Sequence, residues 1–322
     1  MIHAGCEAEA AKERYLEERK VTLMRSQKPG KICDALWYLG HPETGVYLLE
    51  GRNESMIISG GMSYIVPALM DQLRGFGIKQ NQIQKMLILH AHFDHIGIVP
   101  FFRQRSPDIR VYASERAAQI LAEPRNILTI NDFSHRVAAR MGMDREWSTS
   151  HCDWPVGLGL ELVSDGDIID LGGIEVIILK TPGHSSCSIS AYAPKLKALF
   201  PSDGGGIPYK DTIVPAANSN FTQYIESLKK LESLEVEYLC ADHFGYVYGD
   251  EAGSYISSSI ESAQAEHARL EKIYLKFRDI ELAAQQAASS FLDENPDYFL
   301  TREIYEGICR QMMKNISRNV DA

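Results

Sequence analysis

His90-Ala91-His92-Phe93-Asp94-His95 puts three imidazoles and a carboxylate into six residues, directly after the apolar run Met86-Leu87-Ile88-Leu89. The chain holds only 10 histidines in 322 residues, so three in six is not what scattering produces. Ring nitrogens and carboxylate oxygens are the donors that suit a borderline metal such as zinc. In an extended segment, alternation places His90 and His92 on one side. The turn into the next helix can bring Asp94 and His95 to a second position. The fold must therefore end a buried strand at a point small enough for metal ions.

The pattern returns in weaker form downstream. Val176–Lys180 runs into Thr181-Pro182-Gly183-His184-Ser185, Ala198–Pro201 into Ser202-Asp203-Gly204-Gly205-Gly206, and Val236–Ala241 into Asp242-His243-Phe244-Gly245. A His or Asp beside glycine is usually only a turn. Four apolar strands that each deliver a ligand-type residue at the C-terminal end say more, because that edge is where α/β sheets build sites. Glycines there let the backbone crowd a small centre.

The rest of the chain fits a mixed α/β domain followed by helices. Residues 3–26 read as an exposed helix broken at Gln27-Lys28-Pro29-Gly30, and strands and helices alternate from Cys33 to about residue 248. Within them Ile130, Phe133, Val137 and Met141 recur at helical spacing, with Met143 and Trp147 continuing the apolar content. That stripe is either core or the apolar wall of a substrate pocket. After residue 250, Ile256, Ile260, Ala263, His267, Leu270, Tyr274 and Phe277 form a heptad-like seam, and Ile304, Ile308, Met312 and Ile316 a stripe on the last helix. A seam of this kind must be covered, by the tail's own later helices or by a second subunit in a homodimer.

Composition narrows the function. Lys+Arg is 33 against Asp+Glu 43, a net charge of −10, which counts against a nucleic-acid partner. No stretch reaches the roughly 18 apolar residues of a membrane span. The six cysteines are scattered without a CxxC pair and no apolar leader segment is visible, so free thiols and a cytoplasmic location are expected.

HxHxDH, then Thr-Pro-Gly-His, then Asp-Gly, then a last His resembles the metallo-β-lactamase-fold hydrolases, over about residues 33–248. Ser59-Gly60-Gly61, Ala113-Ser114-Glu115-Arg116 and the helical tail bring it nearest the thioesterase-like quinolone signal response branch. The resemblance implies a four-layer αββα sandwich with a dinuclear metal site at one edge, here with an added C-terminal helical region. Residues 1–30 would be an N-terminal helical extension, 31–248 the catalytic domain with an inserted helical lid at 124–150, and 249–322 a C-terminal helical cap. By motif, His90, His92 and His184 would hold one metal, Asp94, His95 and His243 the other, and Asp203 would bridge them. Asp94 and His95 would serve catalysis as well as metal binding. The family usually carries Gly where Ser202 and Asp242 stand, and often where Cys187 stands. Asp242 reads as a solvated turn residue, with orientation of an imidazole as the alternative. Cys187 reads as a small buried hydrophobe.

Two divalent transition metals, zinc or iron foremost and manganese possible, generate a nucleophile near neutral pH and stabilise an oxyanion. The expected activity is attack of a metal-bridging hydroxide on the ester or thioester carbonyl of a small, partly apolar substrate. Phe133, Val137 and Met141 would form its pocket. Tyr209 is a candidate leaving-group acid, against the plainer reading of a packed tyrosine. The alternatives are a lactonase or phosphodiesterase on the same centre, or a regulatory protein acting through a partner.

Overall fold

The structure, a computed structural model, describes residues 24–143 and 152–321. One seven-stranded sheet runs in sequence order through β2 (Gly30–Cys33), β3 (Leu36–His41), β4 (Thr44–Glu50), β5 (Ser55–Ile58), β6 (Ile83–Leu87), β7 (Arg110–Ser114) and β8 (Glu161–Val163). Pairing is antiparallel from β2 to β5 and parallel from β5 to β8. The second seven-stranded sheet has the order β1 (Arg25–Ser26), β16 (Tyr246–Tyr248), β15 (Tyr238–Cys240), β12 (Ala198–Phe200), β11 (Ile189–Ala193), β10 (Glu175–Lys180), β9 (Ile168–Asp170), with β12 and β15 parallel. A hairpin of β13 (Ile207–Tyr209) and β14 (Thr212–Val214) stands apart from both.

Period-two alternation sorts the strand residues into layers. Tyr47, Leu49, Met56, Ile58 and Leu87 face the second sheet, where they meet Val176, Ile178, Ala191 and Phe200. Val46, Leu48, Ile57 and Met86 face outward. They are covered by α1 (Val66–Gly75), α2 (Val99–Arg105), α3 (Glu115–Ala122) and α4 (Pro124–Arg140). On the other side Leu199, Leu239 and Val247 are covered by α5 (Phe221–Glu232) and α6 (Asp250–Phe277). The result is the αββα sandwich, with α7 (Ile280–Leu292) and α8 (Arg302–Val320) packed on α6 as a C-terminal helical region.

Local chemistry sets the helix boundaries. Ser114, Asn220, Asp279 and Thr301 each accept a hydrogen bond from the backbone N–H three residues on, capping α3, α5, α7 and α8. Pro124 cannot continue α3 but suits the first turn of α4. Five of the seven α6 seam residues, Ile256, Ile260, Ala263, Leu270 and Tyr274, are buried within the chain itself. His267 is half-buried, edge-on to Phe221 at 4.9 Å.

The expected N-terminal helix does not reach residue 26. Arg25 and Ser26 do not end a helix; they pair with Val247 and Tyr246 as β1. A strand edge offers backbone partners there, and the Arg25 guanidinium donates to the Pro208 carbonyl at 2.5 Å. Residues 1–23 lie outside the described residues, as do 144–151, which include Trp147. α4 ends at Arg140, followed by Met141 and the left-handed Gly142.

Candidate metal centre

Four strand ends build the site. After β6 the backbone keeps bonding to its neighbours: Ile88 N–H donates to Tyr112 C=O, and Leu89 C=O accepts from Ile189 N–H of the other sheet, at 2.8 and 2.9 Å. The segment 90–95 is thereby pinned between both sheets. Gly60 N–H donates to His95 C=O at 2.7 Å, and a Cβ on Gly60 would sit 2.6 Å from that oxygen, so glycine alone fits. Gly183, at φ +131°, lies so close to Tyr224 that a Cβ would meet its backbone at 2.3 Å. The loop after β12 delivers Asp203, and the loop after β15 delivers His243.

All seven motif residues converge. His184 Nε2 lies 3.1 Å from His90 Nε2 and 3.0 Å from His92 Nδ1. On the other side His243 Nε2 lies 3.3 Å from His95 Nε2, and Asp94 oxygens lie 3.6 Å from each of these. Asp203 stands between the groups, 3.4 Å from His95, 3.6 Å from His184 and 3.5 Å from His243. The donors of His90, His92 and His184, of His90, His95 and Asp203, and of Asp94, His95 and His243 each fall within 4.8 Å of one another.

The outward ring nitrogens show why this set suits a cation. His184 Nδ1–H donates to Ala216 C=O at 2.7 Å and His243 Nδ1–H to Glu43 C=O at 2.6 Å. His90 Nδ1 faces Ser202 Oγ at 3.2 Å, and His95 Nδ1 faces Asp242 Oδ2 at 2.8 Å. A neutral imidazole that donates from Nδ1 presents a lone pair at Nε2. Four rings therefore turn lone pairs inward, and His92 offers Nδ1.

Electrostatics divide the cluster. Burial, with neighbouring imidazoles, pushes His90 well below its ordinary value and His92 to about 4. Burial likewise brings His184 to about 4, though Asp203 pulls the other way. These rings are neutral and ready to ligate. Burial would also depress His95, but Asp203 and Asp94 outweigh it and hold that ring well above the usual range. Burial would raise Asp203, but His95 and His243 hold it well below. The carboxylates favour positive charge at His95 Nε2, whether proton or metal.

Asp242 corrects the sequence reading. It is not a solvated turn residue but 2% exposed, bonded to His95 and accepting from Ser202 Oγ at 2.5 Å. Cys187 is buried as expected, its sulfur accepting from Ala91 N–H at 3.4 Å.

A cavity of about 480 Å³ opens from the cluster. His92, Asp94, His184, Asp203 and His243 form its polar end. Ile130 and Phe133 of α4, Ile304, Ile308 and Met312 of α8, and Tyr298 and Phe299 before α8 also line it, with the polar Thr129 and Gln311 among them. Of the predicted pocket residues only Phe133 lines this space. Val137, one turn on, is fully buried among core side chains, and Met141 packs on that core from outside the wall. Tyr209 is a packed tyrosine, edge-on to Tyr298 at 5.1 Å and beside Phe244 at 4.9 Å, and it does not line the cavity. Sequence reasoning missed Phe299, whose ring stacks on His243 at 4.8 Å. Its only signal was an aromatic pair in the link Asn295–Leu300.

Residues 44–243 match the metallo-beta-lactamase superfamily, and the chain belongs to that family. It is 26% identical over 239 residues to the acyl-coenzyme A thioesterase MBLAC2 of Gallus gallus, covering 69% of this chain and 82% of that protein. It is 26% identical over 292 residues to a hydroxyacylglutathione hydrolase of Francisella philomiragia, covering 84% and 94%. Among solved structures, the family protein TTHA1429 of Thermus thermophilus shares the fold with a TM-score of 0.64 at 20% identity, covering 91% of this chain and 96% of that one.

Proposed function

We propose that the protein is a hydrolase of acyl thioesters or esters that works with two divalent metals. His90, His92 and His184 would hold one, Asp94, His95 and His243 the other, and Asp203 would lie between them. The ions would supply activated water and a Lewis acid at the carbonyl oxygen. The chain's own part would be to keep His90, His92 and His184 neutral, to orient the imidazoles, and to seat the acyl group.

The observation that carries this reading is the cavity, with metal-type donors at one end and apolar side chains from α4 and α8 along its length. Its volume lies in the range of small-molecule sites. No lysine or arginine lines it among the described residues, which weighs against a nucleic acid or other polyanion as the reacting part. The two curated relatives named above act on thioesters by their names, which supports the thioester over the lactone. The donor set accepts zinc, iron or manganese. The described cysteines, Cys33, Cys152, Cys187, Cys240 and Cys309, are free, and no described helix is long and apolar enough to cross a membrane. Free thiols support a cytoplasmic setting.

The test is metal analysis of the purified chain together with acyl thioesters of graded length, a lactone and a phosphodiester. Thioester turnover that rises with acyl length and disappears on chelation is expected. Turnover of the phosphodiester alone would overturn the reading.

A further inference from the structure

We propose that Ser202 and Asp242 form a single positioning device that ties the two candidate metal sites together. The inference rests on the two-metal reading above and adds to it which side chains make the sites depend on each other.

The chain of contacts is continuous. His90 Nδ1–H meets Ser202 Oγ at 3.2 Å, Ser202 O–H donates to Asp242 Oδ2 at 2.5 Å, and His95 Nδ1–H donates to the same Oδ2 at 2.8 Å. His90 falls in the donor group with His92 and His184, and His95 in the group with Asp94 and His243, while a third group, with Asp203, holds both. Ser202 and Asp242 are each 2% exposed, so water does not compete for these bonds.

Direction follows from the chemistry. A buried carboxylate only accepts, so it fixes the Ser202 proton toward itself. The serine oxygen then has only lone pairs left for His90, which must be protonated at Nδ1. His95 must likewise carry its proton at Nδ1. One carboxylate therefore sets the tautomer of an imidazole in each triad and turns both Nε2 lone pairs to the centre. An outer carboxylate also raises the basicity of the ring it holds. Among the described ligand histidines, only His95 has such a charged outer partner; His184 and His243 use backbone carbonyls.

Backbone geometry adds a second, independent observation. Ser202 sits at φ +51°, a left-handed conformation that a residue with a Cβ seldom adopts. Glycine would relieve it, and strain kept at a site points to a use for the side chain. The use here is the hydroxyl between His90 and Asp242.

Cobalt(II) titration of the metal-stripped full-length chain, followed by visible absorption and by competition with a chelator, gives the count and affinity of both sites. The wild type should bind two ions. D242N should weaken the more affected site by about 10- to 100-fold and the other by at least about 3-fold. S202G, which suits the left-handed backbone and should fold at least as well, should weaken both by about 3- to 10-fold. The double variant should fall no more than about 2-fold below D242N, because the two residues act as one unit. Circular dichroism and melting of the metal-free forms check folding. If D242N does not fold, S202G decides alone. A wild type that binds one ion overturns the two-metal reading and the device with it. Two ions in the wild type with unchanged affinities in S202G and D242N overturn the device only. Losses that simply add in the double variant also overturn it.

Discussion

The two ends of the cavity are made in opposite ways. The polar end comes from backbone: strand ends, tight glycines and loops pinned between two sheets fix His90 to His95, His184, Asp203 and His243. The apolar end comes from side chains on helices far apart in sequence, α4 and α8, which meet only when the C-terminal helices dock. Arg136 of α4 pairs with Glu303 of α8 at 2.5 Å, and Arg140 donates to the carbonyls of Pro296 and Tyr298 at 3.1 and 2.9 Å. In the proposed reading the chemistry would thus sit on strand ends and loops, while substrate choice would fall to a surface that docked helices assemble.

That contrast can be broken or sharpened by mutation. The largest effect should come from the polar end. His184→Ala or Asp203→Ala should lower metal content and activity together, beyond the roughly 100-fold seen when only an outer partner of a ligand is lost. Metal analysis beside turnover checks this, and a metal-poor variant with wild-type turnover would break the comparison. At the apolar end, Phe133→Ala and Ile308→Ala should leave metal content unchanged and raise KM for long acyl chains about 10-fold, the equivalent of roughly 1.4 kcal/mol of lost contact. Short acyl chains should be affected less, and a loss independent of chain length would refute the assignment of the wall. Phe299 joins the two ends. Removing its stacking partner from His243 in Phe299→Ala should weaken metal binding by several-fold, in line with about 0.5–1.5 kcal/mol for an aromatic pair. The smallest effect belongs to Arg136→Ala. Its pair with Glu303 is 41% and 74% exposed, and such pairs contribute about 0–1 kcal/mol, so the melting temperature should move by no more than about 4 °C.

The same division decides what the sequence could disclose. The cluster His90–His95 was legible because six consecutive residues carry it, and the three later loops because each follows an apolar strand. Asp242 was misread because its burial depends on His95 and Ser202, which arrive from two other strand ends. In α4, periodicity marked the right face, yet Ile130 and Phe133 line the cavity while Val137 is core. Spacing gives a face and cannot give its neighbour. Ile304, Ile308 and Met312 were visible as a stripe, but only the docked position of α8 turns them into cavity wall, while Ile316 stays in the core. β1 escaped because two residues carry no period.

The sheet borders have a consequence for how copies of this chain could meet. The outermost strands are β1, β9, β2 and β8, of two, three, four and three residues. An edge recruits another chain by offering a row of unpaired N–H and C=O groups, and very short edges blunt that recruitment. Among the described residues, a ladder continued from one copy into the next would therefore begin on four residues at most. Association through helices or loops is favoured over a shared sheet, and the long, flat border that seeds fibrous stacking is missing from both described sheets.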